Sequence, residues 1–206
     1  MTRTPRILLI GCGGAIAVVL FAAVVLVGSY RSVFNRLVAL DEGVQAGWSQ
    51  VENVYQRRAD LVPNLVATVE GAADFERETL DAVIRARARA TSVQLNPGSL
   101  DAQALGRFEA AQGALSGALS RLMVVVERYP DLKANQNFLS LQDELAGTEN
   151  RIAVERRRFN EAAQAYNTER RGFFVRLVAD WSGFEEAAYF EAEAGAETAP
   201  EVDFSR

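Results

Sequence analysis

Residues Leu37–Ala90 read LVALDEGVQAGWSQVENVYQRRADLVPNLVATVEGAADFERETLDAVIRARARA, and their apolar positions recur on a seven-residue count. One column holds Leu37, Val44, Val51, Arg58, Leu65 and Ala72. The other holds Leu40, Gly47, Val54, Leu61, Thr68 and Phe75. Ten of these twelve are apolar or glycine, the pattern of a coiled-coil-type seam that needs partner helices. Pro63 is the one proline inside the stretch. It removes a backbone donor and predicts a kink. A full reversal there, capped by Asp60, is the alternative, but no polar loop residues flank Pro63 and the heptad phase is unchanged across it. The expectation is one helix from Leu37 to Ala90, kinked at Pro63.

Upstream of this seam, Ile7 to Tyr30 contains no charged residue, and Ile16 to Val27 is almost purely aliphatic. A run of about 20 apolar residues crosses the hydrocarbon core as a helix. Leu9-Ile10-Gly11-Cys12 resembles a lipobox, but only a few apolar residues precede Cys12, fewer than the roughly 7–15 of a signal core. Gly28-Ser29 is a faint cleavage site. A retained single-pass anchor fits better, with Cys12 as a small apolar residue in lipid. Arg3 and Arg6 on one flank nearly balance Arg31 and Arg36 on the other. The short basic N-terminal tail favours the inside by the positive-inside rule. No Gly/Pro/Ser linker separates anchor from seam, so the spanning helix is expected to run straight into the soluble one.

Downstream, Asn96-Pro97-Gly98 is turn chemistry and Ser99 can cap a new helix. That helix is expected over Leu100 to Arg128, with Phe108, Leu115, Leu122 and Tyr129 in one column and Ala104, Ala111, Ala118 and Val125 in the other. Gly106, Gly113 and Gly117 would let a neighbour approach. Pro130 ends this helix. A third runs from about Gln136 to Arg170, with Phe138, Leu145, Ile152, Phe159 and Tyr166 in a column and Glu144, Glu149, Arg151, Glu155, Arg156, Arg157 and Arg158 on its outer face. A short helix from Phe173 to Trp181 closes the bundle. No strand-like alternation appears. The fold class is all-α: an antiparallel up-and-down bundle of three to four helices, one very long, continuing from a single N-terminal transmembrane helix. The expected divisions are a tail (1–6), the transmembrane helix (7–29), the bundle (30–190) and an acidic disordered tail (191–206).

The net charge of −5 is an average over unlike parts. Residues 185–206 carry seven acids against one arginine, which leaves the bundle almost neutral. No basic stripe of the kind that binds nucleic acid is present. The chain has no histidine and one cysteine. That excludes His-based triads, Cys nucleophiles in the bundle, nearly all zinc sites and the Glu-x-x-His pairs of di-iron bundles. No Gly-rich phosphate loop occurs. No cofactor or metal is expected, although carboxylate-only Mg²⁺ or Ca²⁺ binding stays open.

Arg58 is the most informative residue, because it stands where the seam wants an apolar side chain. It reads as a register-setting ion pair, either local, between Arg57-Arg58 and Asp60, or reaching a carboxylate on another helix. The other reading is recognition of a partner's carboxylate or an anionic headgroup. Asn64, Asn150, Asn160 and Asn167 read as amides that satisfy helix backbone or set register, and Trp48 as packing at the core edge. Arg85, Arg87 and Arg89 spread around a helix and read as solvated surface. The aromatic group Phe173, Phe174, Trp181, Phe184, Tyr189 and Phe190 is expected to cap the bundle, with a membrane or partner contact as the lesser option. If Leu37–Ala90 is continuous it extends about 80 Å, against about 45–50 Å for each of the next two helices. The seam residues Leu37, Leu40, Val44, Val51 and Val54 would then stand uncovered beside the membrane, and second copies of the chain are expected to cover them.

Trp48-Ser-Gln-Val-Glu and Gln56-Arg-Arg-Ala-Asp-Leu-Val-Pro-Asn-Leu-Val66 resemble the opening signature of the LemA family. So do Tyr129-Pro-Asp-Leu-Lys-Ala-Asn-Gln-Asn-Phe-Leu139, Leu141-Gln-Asp-Glu-Leu145, Thr148-Glu-Asn-Arg-Ile152, Arg157-Arg-Phe-Asn160 and Tyr166-Asn167. The resemblance covers about residues 30–190. It implies a membrane-anchored helical bundle of bacterial type, at the inner membrane, in a family whose molecular role is unsettled. Members are described with the N-terminus outside and the domain cytoplasmic, opposite to the charge reading, so the side of the domain stays undecided. The chain departs from the pattern where Phe173 is followed by Phe174 rather than proline, and where Phe75 replaces a frequent histidine.

The expected function is a non-enzymatic, membrane-anchored scaffold or adaptor that self-associates. The alternative is a regulatory or sensor subunit of a membrane enzyme complex such as a protease or phosphatase, and a carboxylate-metal enzyme stands third. Expected partners are the lipid bilayer, further copies of the chain and a membrane protein, and no nucleic acid.

Overall fold

The computed structural model describes residues 4–71, 76–96 and 100–191, with side chains from Ile16 onward. Among the described residues there are six helices and no strand: α1 (Thr4–Glu70), α2 (Arg77–Ser92), α3 (Ala102–Val126), α4 (Pro130–Lys133), α5 (Gln136–Arg170) and α6 (Phe173–Ser182). The all-α class stands. α1 carries both the apolar anchor and the seam, and Pro63 lies inside it. Its most apolar 18-residue window has a mean hydropathy of 2.1 and is wholly unburied, which makes it a candidate membrane span.

The long helix ends earlier than the heptad count indicates. α1 stops at Glu70, Gly71 N–H closes the last turn on the Ala67 carbonyl at 3.3 Å, and α2 begins at Arg77. The buried face of α2 is Thr79, Leu80, Val83, Ala86 and Ala90. Extending the first column gives Thr79 and Ala86, which are buried. The second gives Ala82 and Arg89, which are not. The phase therefore changes after α1, and two separate helices share what looked like one seam. Ala72 and Phe75 lie outside the described residues, as do Pro97, Gly98, Ser99 and residues 192–206.

The chain falls into two compact units. The first comprises residues up to Gly43 together with Ala165–Glu186; the second comprises Val44–Gln164 and the chain from Ala187 on. In the second unit, Leu61, Val62, Leu65, Val66 and Val69 of α1 pack with Leu80 and Val83 of α2, Leu115 and Leu122 of α3, Leu132 of α4, and Phe138 and Leu145 of α5. α3 starts on Asp101, whose carboxylate accepts the Ala104 N–H at 2.6 Å. Pro130 opens the single turn α4 rather than only ending α3. Asn135 caps α5 by accepting the N–H of Asn137 at 2.9 Å. Gly106, Gly113 and Gly117 meet no atom within 4 Å of an added Cβ, so none of them is there for close helix approach. Gly47 is the close one, with the Phe159 backbone at 3.5 Å.

α5 runs antiparallel to α1 in the second unit. There, Phe159 faces Gly47 and Glu149 faces Arg58; in the first, Glu169 pairs with Arg36 at 3.0 Å. The expected uncovered seam therefore does not exist. Leu37, Val44 and Val51 are buried, and Leu40 and Val54 are half-buried. The physical reason is length: α1 ends at Glu70 rather than Ala90, so the helix from Leu37 is 34 residues long and not 54.

Pro63 has no N–H to offer the Ala59 carbonyl one turn back. Arg87 of α2 takes over that role, donating its Nε–H to the oxygen at 2.7 Å. Arg87 is half-buried, not a free solvated cation. A hydrogen bond from a charged donor is worth about 1.5–3 kcal/mol. Arg87→Met should therefore lower stability by about 2 kcal/mol in urea unfolding of the detergent-solubilised chain. In a Pro63→Ala background, where the new residue's own N–H supplies the missing donor, the same change should cost less than half as much. Equal costs in both backgrounds would separate Arg87 from the proline.

Candidate functional site

The seam position 58 puts a guanidinium inside the second unit, where it is 1% exposed. Two other helices supply its acceptors. Its Nη1 donates to Ser116 Oγ of α3 at 2.7 Å and to Glu149 Oε1 of α5 at 2.9 Å. Its Nη2 donates to the Gln112 side-chain and main-chain oxygens at 2.5 and 3.3 Å. Gln112 in turn gives its amide N–H to the Ala90 carbonyl, near the end of α2, at 3.3 Å. The guanidinium carbon lies 5.0 Å from the centre of the Tyr55 ring. Arg58 Nε is buried and has no acceptor among the described residues. The inter-helix version of the ion pair is the one the chain uses.

Beside this group opens a cleft of about 470 Å³, walled by α1, α3 and α5. Gly113 and Ser116 form one wall, Ile152 and Ala153 another, and Glu191 closes an end. A second ion pair lines it: Arg156 to Glu109 at 2.6 Å, both half-buried. Burial pushes the Glu109 carboxyl above its ordinary value, and the neighbouring Glu191 charge adds to this against the pull of Arg156. Burial likewise raises the Tyr55 hydroxyl. Ser116 Oγ accepts from the Arg58 guanidinium, which stays protonated and cannot serve that hydroxyl as a base. The described residues hold no group of three or more His, Cys, Asp or Glu placed to share a metal ion.

The chain returns to this site after α6. Phe190 is 5% exposed and stacks on Trp48 at 6.1 Å, with Phe159 edge-on at 5.4 Å. Asn160 reads the backbone of residue 190 with both ends of its amide, accepting its N–H at 2.9 Å and donating to its carbonyl at 3.0 Å. Arg156 donates to the Glu191 carbonyl at 3.0 Å and lies 4.6 Å from the Phe190 ring centre. Asn160 therefore holds a returning segment and does not merely satisfy helix backbone. Phe190 belongs to this core, whereas Phe173, Phe174 and Trp181 are exposed rather than capping the bundle.

The other candidates scatter. Arg57 is exposed and pairs with Glu144 of α5. Asp60, also exposed, accepts from Gln56 at 2.8 Å and takes no part in a local pair with Arg58. Asn64 is exposed away from the cleft, and its carbonyl receives the Thr68 hydroxyl at 2.8 Å. Trp48 is 0% exposed, buried in the core rather than at its edge, and its indole N–H is buried with no partner among the described residues. Sequence reading missed Gln112, Ser116 and Glu109 altogether. The available signal was indirect: an arginine in a seam demands acceptors, and Gln112 and Ser116 are polar one turn apart on the facing helix.

A family model described as the LemA family matches residues 47–204. The chain belongs to the LemA family. The match takes in every residue of the cleft. Among curated relatives, magnetosome protein MamQ 2 of Paramagnetospirillum magneticum is 28% identical over 216 residues, covering 95% of this chain and 79% of that protein. Magnetosome protein MamQ of Magnetospirillum gryphiswaldense is 30% identical over 182 residues, with coverage of 80% and 67%. Protein LemA of Metamycoplasma hominis is 24% identical over 158 residues, with coverage of 77% and 68%.

The two partners of the Arg58–Glu149 pair differ in burial, 2% against 46% of the side chain exposed. Losing Arg58 leaves Glu149 free to hydrate. Losing Glu149 strands a buried cation, for which the cost of breaking a buried pair is about 3–5 kcal/mol. Glu149→Met should therefore destabilise the second unit by about 3 kcal/mol, and Arg58→Met by less. The double variant should fall well short of their sum. Thermal unfolding of the three variants that ranks Arg58→Met as the more damaging would reverse this assignment.

Proposed function

We propose that this LemA-family chain is a membrane-anchored scaffold or adaptor without catalytic groups, which holds a segment of a partner protein in the cleft beside Arg58. The observation that carries the reading is the lodging of the chain's own segment around Phe190 at the edge of that cleft. Its backbone is gripped by Asn160 and Arg156, and its aromatic ring is buried on Trp48. Main-chain gripping with one anchored side chain is how proteins take up peptide segments generally. The cleft continues this arrangement with polar groups on α3 and α5 and with open space beside Gly113. The missing histidines and the lone cysteine support binding rather than turnover. The apolar start of α1 supports a bilayer as the platform.

Gly113→Leu is the direct test. An added Cβ meets nothing within 4 Å, and leucine favours the helix over glycine by about 0.5–1 kcal/mol, so the variant should fold at least as well as the parent. Photo-cross-linking from a probe at position 153 in native membranes should then lose its protein adduct at least tenfold. Adducts to one membrane enzyme would identify a regulatory subunit, and adducts only to further copies of the chain a self-assembling scaffold. Adducts undiminished by the leucine would remove the cleft from the function.

A further inference from the structure

α6 is ten residues long, FFVRLVADWS, and within it only Ala179 is buried. Phe173, Phe174, Leu177 and Trp181 are 82, 68, 63 and 81% exposed. At about 100° per residue these four fall on one arc about 100° wide, with Ala179 on the far side. A ten-residue helix that turns its largest apolar residues to water gains nothing from burying them. Its C-terminal end is nevertheless well made. Gly183 takes the left-handed conformation (φ 77°), and the Phe184 N–H returns to the Ala179 carbonyl at 3.0 Å. The helix is held, and its exposed face is held with it.

The place where it is held is informative. Its aromatic and hydrogen-bond partners belong to the first unit, the one that contains the apolar run of α1. Trp181 lies edge-on to Tyr30 at 5.7 Å, and Ser182 Oγ is 3.3 Å from the Tyr30 hydroxyl. Phe184 meets Phe34 one turn on, at 5.6 Å. Tyr30 follows the aliphatic run Ile16–Val27 by one turn, about 5 Å of helix rise. α6 thus stands at the level where the span leaves hydrocarbon, and it presents there Trp and Phe side chains beside Tyr30 of α1, the aromatic types that favour that depth.

We propose that α6 is an interfacial helix, which lays its Phe173/Phe174/Leu177/Trp181 face into the surface of the bilayer that α1 crosses. The occupant of the face is lipid, because the face adjoins the spanning helix itself. The one cation of α6, Arg176, pairs with Asp180 at 3.7 Å, and the two arginines just before the helix are paired as well, Arg170 with Asp180 at 3.0 Å and Arg171 with Glu186. Seating is therefore driven by apolar burial and is indifferent to anionic lipid. Paired at the water boundary in this way, α6 and α1 fix the tilt of the first unit against the membrane with two supports.

The chain has two tryptophans, and Trp48 is fully buried, so the emission lost in a Trp181→Phe variant reports Trp181 alone. The full-length protein is reconstituted in phosphatidylcholine vesicles with lipids brominated near the headgroup end of the acyl chain. Trp181 emission should fall at least twofold and resist aqueous iodide, unchanged when phosphatidylglycerol is added or when protein is diluted tenfold in lipid. Joint replacement of Phe173, Phe174 and Leu177 by serine should restore iodide access at Trp181, with the far-ultraviolet helix signal kept. Iodide quenching of the parent with no effect of brominated lipid would overturn the proposal. Shielding from both quenchers, relieved by dilution, would assign the face to a second copy of the chain and overturn it equally.

Discussion

A guanidinium placed in a helical core costs several kcal/mol unless its charge and donors are met, and Arg58 draws that compensation from α3 and α5 together. The acceptors come from different helices, so the arginine is satisfied in one mutual register and in no other slid by a turn. Gln112 extends the constraint to α2 through the Ala90 carbonyl. An apolar residue at 58 would bury as well but would not discriminate among registers. The cleft beside it is a by-product of the same choice: the acceptors stand back from the seam on polar stems, and Gly113 leaves the space open.

Pro63 imposes a second constraint of the same kind. By withholding one N–H it leaves the Ala59 carbonyl to be met from outside α1, and only a helix lying alongside can deliver a donor there. Arg87 does so from α2. Arg58, Ala59 and Pro63 all fall within one stretch of α1, so the same two turns of helix position α2, α3 and α5 around them.

The bundle was legible because its columns are long and regular. The boundaries of α5 and the buried set Phe138, Leu145, Ile152, Phe159 and Tyr166 follow from periodicity alone. The break after Glu70 was not legible, since a heptad count continues through a turn whenever one column happens to keep its phase, as Thr79 and Ala86 do. The uncovered seam was an error inherited from that helix length. Arg58 could be recognised as anomalous, but its acceptors could not be named, because satisfaction of a buried charge depends on which helices lie beside it. Phe190 was hidden for a related reason: nothing in a local pattern says that a residue beyond the last helix goes back to the first part of the core.

That return has a consequence for how the chain is made. Trp48 stands at the start of the second unit and Phe190 near its end, and their rings stack. The face of Trp48 that Phe190 covers stays open while nearly everything between them is being synthesised, so this core closes by one of its most distant pairings in sequence. Until then an indole lies bare on a chain already bound for lipid, a state in which a holding chaperone or the bilayer surface itself would have something to grasp.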